Sequence, residues 1–270
     1  MTGTQQRNRW NEKMNRYIYP SVGIAGFIIC WEMVIVLFYL PEYILPTPYV
    51  TIVSFFKNLG ALIPHILTTL YETFLGLMFA IIFSIMFSVV VVWFRLVEKT
   101  VMPVMVFLQT TPKIAVAPLF LVWFGVGYTP KVVISFWLAY FPIMINMITG
   151  LRDVQPEMID LASSMSASKL QTFIKIRLPN SLPYFFSGLK LGAIVALLGA
   201  IVGEYVGADK GLGYLIMWAN SSYDVKMLFS VVIALVLLGK AIYTIVEWVE
   251  KYMISWHVIA RSEEEKFFTA

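Results

Sequence analysis

The fold class this sequence predicts is an all-α membrane protein of six spanning helices with both termini in the cytoplasm. Three observations predict it: the composition, a series of long apolar runs, and the placement of lysine and arginine. The 270 residues are 59% hydrophobic and 13% charged, a balance that puts lipid rather than water around most of the chain.

A stretch of ~20 residues rising about 1.5 Å each crosses a hydrocarbon core roughly 30 Å thick. Apolar runs of that order extend over Tyr17 to Leu40, Pro64 to Phe94, Val101 to Gly127, Val132 to Leu151, Tyr184 to Val206 and Met227 to Val249. Backbone polar groups in lipid must be satisfied within the segment, so these runs are helices. The first is read as a retained anchor rather than a cleaved leader, because it is long, contains Glu32 and lacks a small-residue cleavage pattern. Cys30, the only cysteine, lies within it, which excludes an internal disulfide and a thiolate metal cluster. His65 and His257 are far apart in sequence and form no ligand pair, so no metal site is expected.

Orientation follows from the basic residues. Arg7, Arg9, Lys13 and Arg16 precede the first run, and Arg95 and Lys99 fall between the second and third. Arg152, Lys169, Lys175 and Arg177 fall between the fourth and fifth, and Lys251, Arg261 and Lys266 follow the sixth. The opposite face has only Lys57, Lys131, Lys210 and Lys226. The positive-inside bias therefore places both termini and the long fourth connection in the cytoplasm. The net charge of +4 is topological; its basic residues are dispersed over short loops, so no nucleic-acid partner is expected. The chain divides into a cytoplasmic tail over 1–16, one transmembrane domain over 17–250 with a cytoplasmic loop at 152–183, and a second tail over 251–270.

Two external connections carry structure of their own. Pro41 to Ile63 contains Pro41, Pro46 and Pro48 and a short amphipathic run around Val53 to Phe56, expected on the outer surface. Gly207 to Lys226 contains Gly211-Leu212-Gly213 followed by the apolar Tyr214 to Trp218, expected as a short helix at the mouth of the bundle.

The cytoplasmic loop from Arg152 to Pro183 is the most informative segment. Pro156 and Glu157 suit a helix start, and Met158, Leu161, Ala162 and Met165 recur at helical spacing to give one apolar face. Ser166 is the expected cap of a second short helix whose apolar edge is Leu170, Phe173 and Ile174, with Pro179 and Pro183 ending it. An apolar face outside the membrane either packs under its own bundle or docks into another protein.

At this loop the sequence resembles the permease subunits of bacterial binding-protein-dependent ABC importers. Their signature is Glu-Ala-Ala, three residues, Gly, nine residues, Ile, one residue, Leu-Pro. The same spacing here reads Asp160-Leu161-Ala162, Ser166, Ile176 and Leu178-Pro179, with Leu161 and Ser166 departing from the family residues. The resemblance runs from about Leu45 to Trp256. Leu45-Pro46-Thr47-Pro48, Ala117-Pro118-Leu119-Phe120, Trp123-Phe124-Gly125, Phe141-Pro142-Ile143, Gly150-Leu151-Arg152 and Gly211-Leu212-Gly213-Tyr214-Leu215 are similar to the nitrate, sulfonate and taurine branch.

The resemblance implies a multi-pass protein of the bacterial inner membrane with the type I importer bundle. Its implied partners are a second copy of itself, an ABC ATPase subunit that binds ATP and magnesium, and an external solute-binding protein. The permease itself carries no cofactor. The coupling surface would comprise Met158, Asp160, Leu161, Ala162, Met165, Ser166, Leu170, Phe173, Ile176, Leu178 and Pro179. The solute would be a small oxyanion, a sulfonate or taurine-like molecule, or a heterocyclic vitamin precursor.

Catalytic motifs are missing from the sequence. Gly239-Lys240 continues into Ala241 with no glycine at the spacing a phosphate loop needs, and neither His-Glu-x-x-His nor Gly-x-Ser-x-Gly occurs. The rival to an importer subunit is a self-sufficient channel or secondary transporter, in which buried charges and broken helices also occur. A cytoplasmic coupling loop separates the two readings.

Charges within spans are costly and become functional candidates. Lys113, beside Pro112 in the third run, either attracts an anionic substrate or is held against carbonyls freed by the prolines. Glu72 and Glu32 are read as structural pairs before transport residues. Glu204, ending the fifth run, either gates the outer mouth or makes a packing link. Gly188, Gly192, Ala196 and Ala200, with Gly199, Gly203 and Gly207, form rows of small residues. Such rows let helices approach closely; tight packing within one subunit and lining of the pathway by Gly192 and Ala196 are both open.

Overall fold

The computed structural model describes residues 3–255, and within them not the side chains of residues 3–17 or of Pro20. The side chains of Arg7, Arg9, Lys13 and Arg16, and residues His257, Arg261 and Lys266, lie outside that description. The described chain is all-α. Its helices are α1 (Gly3–Leu37), α2 (Pro48–Trp93), α3 (Arg95–Thr110), α4 (Lys113–Phe124), α5 (Tyr128–Arg152), α6 (Pro156–Ser164), α7 (Lys169–Thr172), α8 (Leu178–Gly207), α9 (Leu212–Ser221) and α10 (Val225–Met253), with a π-helical turn over Phe173–Arg177.

Four helical stretches among the described residues are long and apolar enough to cross a membrane: α2, α5, α7 through α8, and α10. Two expected spans differ. The first corresponds to α1, whose apolar part is the shorter Ser21–Leu37. The third, expected as one helix from Val101 to Gly127, is broken: α3 and α4 meet at 97°. Pro112 is the physical cause, since proline forces the residue before it out of the helical region, and Thr111 takes φ −62° and ψ 134°.

Four prolines act differently from expectation. Pro48 opens α2, and the Thr47 hydroxyl oxygen accepts from Val50 N–H at 3.3 Å as its cap. The helix then runs unbroken through Pro64 for 46 residues, so the amphipathic run around Val53 to Phe56 is its first part and not a separate surface helix. Pro179 and Pro183 do not end a helix. Proline lacks an N–H and its ring crowds the carbonyl four residues back; the π turn before Pro179 loosens the ladder there, and Leu178 N–H donates to Phe173 O.

The chain forms two compact units, Met1–Gly60 with Trp218–Ile233 and Ala61–Met217 with Ala234–Ala270. In the first, Trp31 packs on Phe229 with ring centroids 5.6 Å apart, and Lys226 pairs with Glu42 at 2.6 Å. Asp224 Oδ1 caps the start of α10 by accepting from Met227 N–H at 3.0 Å.

The second unit is built on α5 against α8. A Cβ added at Gly199 would lie 2.6 Å from Ser135 Cα, at Gly203 2.9 Å from Lys131 Cα, and at Gly192 2.7 Å from Ile143 Cγ1. The small-residue rows thus let the two backbones touch. Ala196 is fully buried in the same contact, its carbonyl accepting from Ser135 Oγ at 2.9 Å. Helix α2 also packs on α5. Gly76 meets Ser135 there, while the hydroxyls of Ser84 and Ser88 donate to Tyr140 O at 2.9 Å and Met144 O at 3.2 Å. Ala117 and Phe120 of α4 join Ile134 and Leu138 of α5 in an apolar cluster.

This packing predicts a sharp contrast between glycines. Replacing Gly199 with Leu should destabilise the protein by about 3 kcal/mol or more through overpacking. Gly239→Ala should be neutral or stabilising, because its Cβ would meet nothing closer than Leu197 Cδ2 at 3.5 Å. Thermal unfolding of the two variants in detergent measures the difference.

Candidate functional site

The loop between α5 and α8 is a preformed knuckle. Helix α6 starts at Pro156 with Glu157 in its first turn, as its sequence indicates. It ends in a Schellman motif: Ala167 N–H donates to Ala162 O at 2.9 Å and Ser166 N–H to Ser163 O at 3.0 Å. Ser166 stands at the left-handed position with φ 57°, which is where the importer signature has glycine. It does not cap the next helix. That cap is Ser168, whose hydroxyl accepts from Gln171 N–H while the Gln171 side chain accepts from Ser168 N–H, a complete capping box.

The two expected apolar faces, one on each short helix, are each divided. Ala162 and Phe173 are each 8% exposed and belong to the chain's own packing, with Phe173 against Trp93 at the end of α2, ring centroids 5.4 Å apart. Met158, Leu161, Met165, Leu170 and Ile174 are 49–75% exposed and share the segment with exposed Glu157, Asp160, Lys169 and Lys175. Ile176 and Leu178 are half-buried, and Pro179 is exposed.

Residues that sequence reasoning passed over fasten this loop to the core. Asn180 Nδ2 donates to Gly150 O at 3.0 Å and Asp153 O at 2.8 Å. Arg177 reaches Leu151 O at 3.3 Å. The open carbonyls at the end of α5 are therefore satisfied from the start of α8. The Tyr184 hydroxyl meets Asp153, and Arg152 pairs with Glu98 at 3.0 Å. Asn180 directly follows the Leu-Pro of the signature, the one cue the sequence offered for it.

The broken span presents Lys113 as the first residue of α4. Its ammonium lies 4.8 Å from the centre of the Phe141 ring, a cation–π contact. Gln109, Thr110 and Pro112 beside the break are exposed.

A buried polar cluster occupies the other end of the second unit. Lys131, expected as a loop charge, is 3% exposed and pairs at 3.0 Å with Glu72, which is fully buried. Glu204 is also fully buried; its Oε1 accepts from the Thr69 hydroxyl at 2.7 Å and its Oε2 from Gly213 N–H at 2.7 Å. Thr69 and Lys131 were not singled out as site residues, although His65, Thr69 and Glu72 follow the i, i+4, i+7 spacing of one helix face.

Bundle, knuckle and broken span together define the membrane-embedded part of a transporter. Residues 76–255 match the model for the binding-protein-dependent transport system inner membrane component, and the chain belongs to that family. It is an ABC importer permease of the sulfonate and taurine branch, a multi-pass protein of the inner membrane. It is 34% identical over 233 residues to a probable ABC transporter permease protein of Haemophilus influenzae, covering 86% of this chain and 95% of that one. Over 238 residues it is 32% identical to the formylaminopyrimidine transport permease protein ThiX of Halalkalibacterium halodurans, covering 88% and 95%. To the taurine transport system permease protein TauC of Escherichia coli it is 23% identical over 260 residues, covering 93% and 94%. A chain of the methionine ABC transporter MetNI in an inward-facing conformation superposes with a TM-score of 0.63 at 20% identity, covering 73% of this chain and 97% of that one. That likeness shows a common fold.

The strained turn gives a direct test. Ser166→Gly should stabilise the loop by about 1 kcal/mol, because a left-handed conformation costs a side-chain-bearing residue that much. Slower amide hydrogen exchange over residues 156–172 is the measurement.

Proposed function

We propose that two copies of this chain form the translocation pathway of an ATP-driven importer, each docking its α6–α7 knuckle into one ABC ATPase subunit that binds ATP and magnesium. A solute-binding protein delivers the solute from outside, both termini are cytoplasmic, and the α9 end faces outward, as the basic residues suggest. The observation that carries the reading is the exposed apolar surface of Met158, Leu161, Met165, Leu170 and Ile174. It lies among charged residues and so belongs to water rather than lipid. A channel or secondary transporter has no use for such a surface.

Within the coupling segment the residues divide by role. Met158, Leu161, Met165, Leu170 and Ile174 form the contact, with Asp160 at its edge. Ala162, Ser166, Phe173, Ile176, Leu178 and Pro179 set the shape of the knuckle. The test is Leu161→Asp in the intact complex. A charge placed at a desolvated contact should weaken association with the ATPase by about 2 kcal/mol or more, with thermal stability unchanged and uptake lost. Ala162→Asp should instead lower thermal stability, since the new carboxylate is buried. Normal ATPase association and uptake with Leu161→Asp would return the chain to the channel reading.

Lys113 is proposed to face the pathway and favour an anionic solute. Interrupted backbone at membrane depth is tolerated only where protein or a water-filled cavity covers it, and the half-helix start beside Lys113 adds positive potential. The relatives named for aliphatic sulfonates and taurine handle anionic groups, and those named for formylaminopyrimidine and riboflavin widen the class to small heterocycles. Glu204, Gly192 and Ala196 are assigned to packing that shapes the pathway. Lys113→Met should cut uptake at least about tenfold for an anion, the equivalent of 1.4 kcal/mol, while the ATPase still copurifies. Unchanged uptake would remove Lys113 from the pathway.

A further inference from the structure

The first turn of α9 is held by side chains from two other helices. Gly211 N lies 3.0 Å from His65 Nδ1, Leu212 N–H donates to the Thr69 hydroxyl oxygen at 2.9 Å, and Gly213 N–H donates to Glu204 Oε2 at 2.7 Å. The Thr69 hydroxyl donates in turn to the other oxygen of Glu204 at 2.7 Å, so one hydroxyl bridges α2, α8 and α9. The His65 ring stacks on Tyr214 with centroids 5.9 Å apart and planes inclined by 10°. Thr69, Leu212 and Glu204 are fully buried.

Gly211-Leu212-Gly213 has the sequence of a hinge, and a swinging α9 would be a simple gate. The geometry argues against it. A Cβ at Gly211 would overlap the Glu204 carboxylate, and one at Gly213 would overlap Ile201 O. Both glycines therefore serve close approach. Gly211 also sits at φ 114°, where side-chain-bearing residues are strained. Opening would leave the donors of the α9 start without partners and a carboxylate unpaired in an apolar surround, and buried polar groups in that condition are costly.

We propose that Glu204, Thr69 and His65 are positioning residues of a latch that stays shut throughout the transport cycle. On the permease reading above, the first turn of α9 then moves with the Thr69 stretch of α2 and the Glu204 end of α8 as one body, and the outer mouth opens by displacement of that body.

The experiment uses the full complex with its ATPase and binding protein, in a Cys30→Ser background carrying Leu212→Cys or, as a second site on the buried side of α9, Leu215→Cys. A membrane-impermeant maleimide is applied without ligand, with loaded binding protein and ATP, and with vanadate trapping. The cysteine should stay unlabelled in all three states. Glu204→Ala should raise its labelling rate by on the order of tenfold or more, and Glu204→Gln, which keeps the hydrogen-bonding shape, should restore protection. If Glu204→Ala does not assemble, Thr69→Val takes its place. Labelling in any state with Glu204 intact overturns the latch, as does equal protection after Glu204→Ala. ATP hydrolysis stimulated by loaded binding protein, recorded on the same samples, reports separately on the permease reading; its absence would strike that reading whatever the labelling pattern.

Discussion

The contact between α5 and α8 is the constraint on which the second unit depends. In lipid no hydrophobic driving force holds two apolar helices together, so close packing and interhelical hydrogen bonds must do it. Gly192, Gly199 and Gly203 bring the α8 backbone against Ile143, Ser135 and Lys131. Everything described at the two ends is positioned from that seam. At one end Asn180 and Arg177 close the carbonyls of α5, which fixes where the knuckle leaves the bundle. At the other end Lys131, emerging beside Gly203, reaches Glu72 on α2. Ser135 is where three helices meet: Gly199 of α8 lies against its backbone, Gly76 of α2 against its side chain, and its hydroxyl donates to Ala196 O.

The charged groups follow a common rule. Desolvation of a carboxylate or ammonium is offset only by close partners, and the buried ones have them: Lys131 with Glu72, and Glu204 with Thr69 and Gly213. Lys113 has only an aromatic face and stands beside an interrupted backbone. Lys131 and Glu204 have close polar partners, whereas Glu72 is paired through Oε1 and its buried Oε2 has no hydrogen-bond partner among the described residues, so incomplete pairing is shared by Glu72 and by Lys113, the charge proposed to meet solute.

Much of this was legible beforehand, and the failures have physical causes. Hydropathy located α5 and α10, and the C-terminal end of α8, to within a few residues because length and apolarity are what a bilayer selects, while α8 begins at Leu178, ahead of the expected Tyr184. It could not locate the break at Thr111, since apolar residues continue on both sides of Pro112. Nor could it foresee that Pro179 would be absorbed by a π turn, which depends on where the ladder can open. Helical periodicity grouped Ala162 with Leu161 because both fall on the i+3, i+4 series from Met158, although consecutive residues stand about 100° apart around a helix. Only the presence of Trp93 and Phe173 beneath the loop decides which side is inner. The Ser168–Gln171 capping box was written in the sequence and was outcompeted by Ser166, whose position instead demands a left-handed backbone. The polar stripe His65, Thr69 and Glu72 has partners more than fifty residues away in sequence, such as Lys131 and Glu204, beyond the reach of local pattern.

One further property belongs to α2. It passes unbroken from His65, at the α9 contact, to Trp93, on which Phe173 of the knuckle rests. At about 1.5 Å per residue these contacts stand on the order of 40 Å apart along one rod. A rod of that length acts as a lever: a tilt of about 5° carries its far end roughly 3.5 Å, close to one residue step along a strand or two along a helix. A small rotation at the Trp93 end thus becomes a displacement of atomic size at the His65 end, delivered without bending the helix.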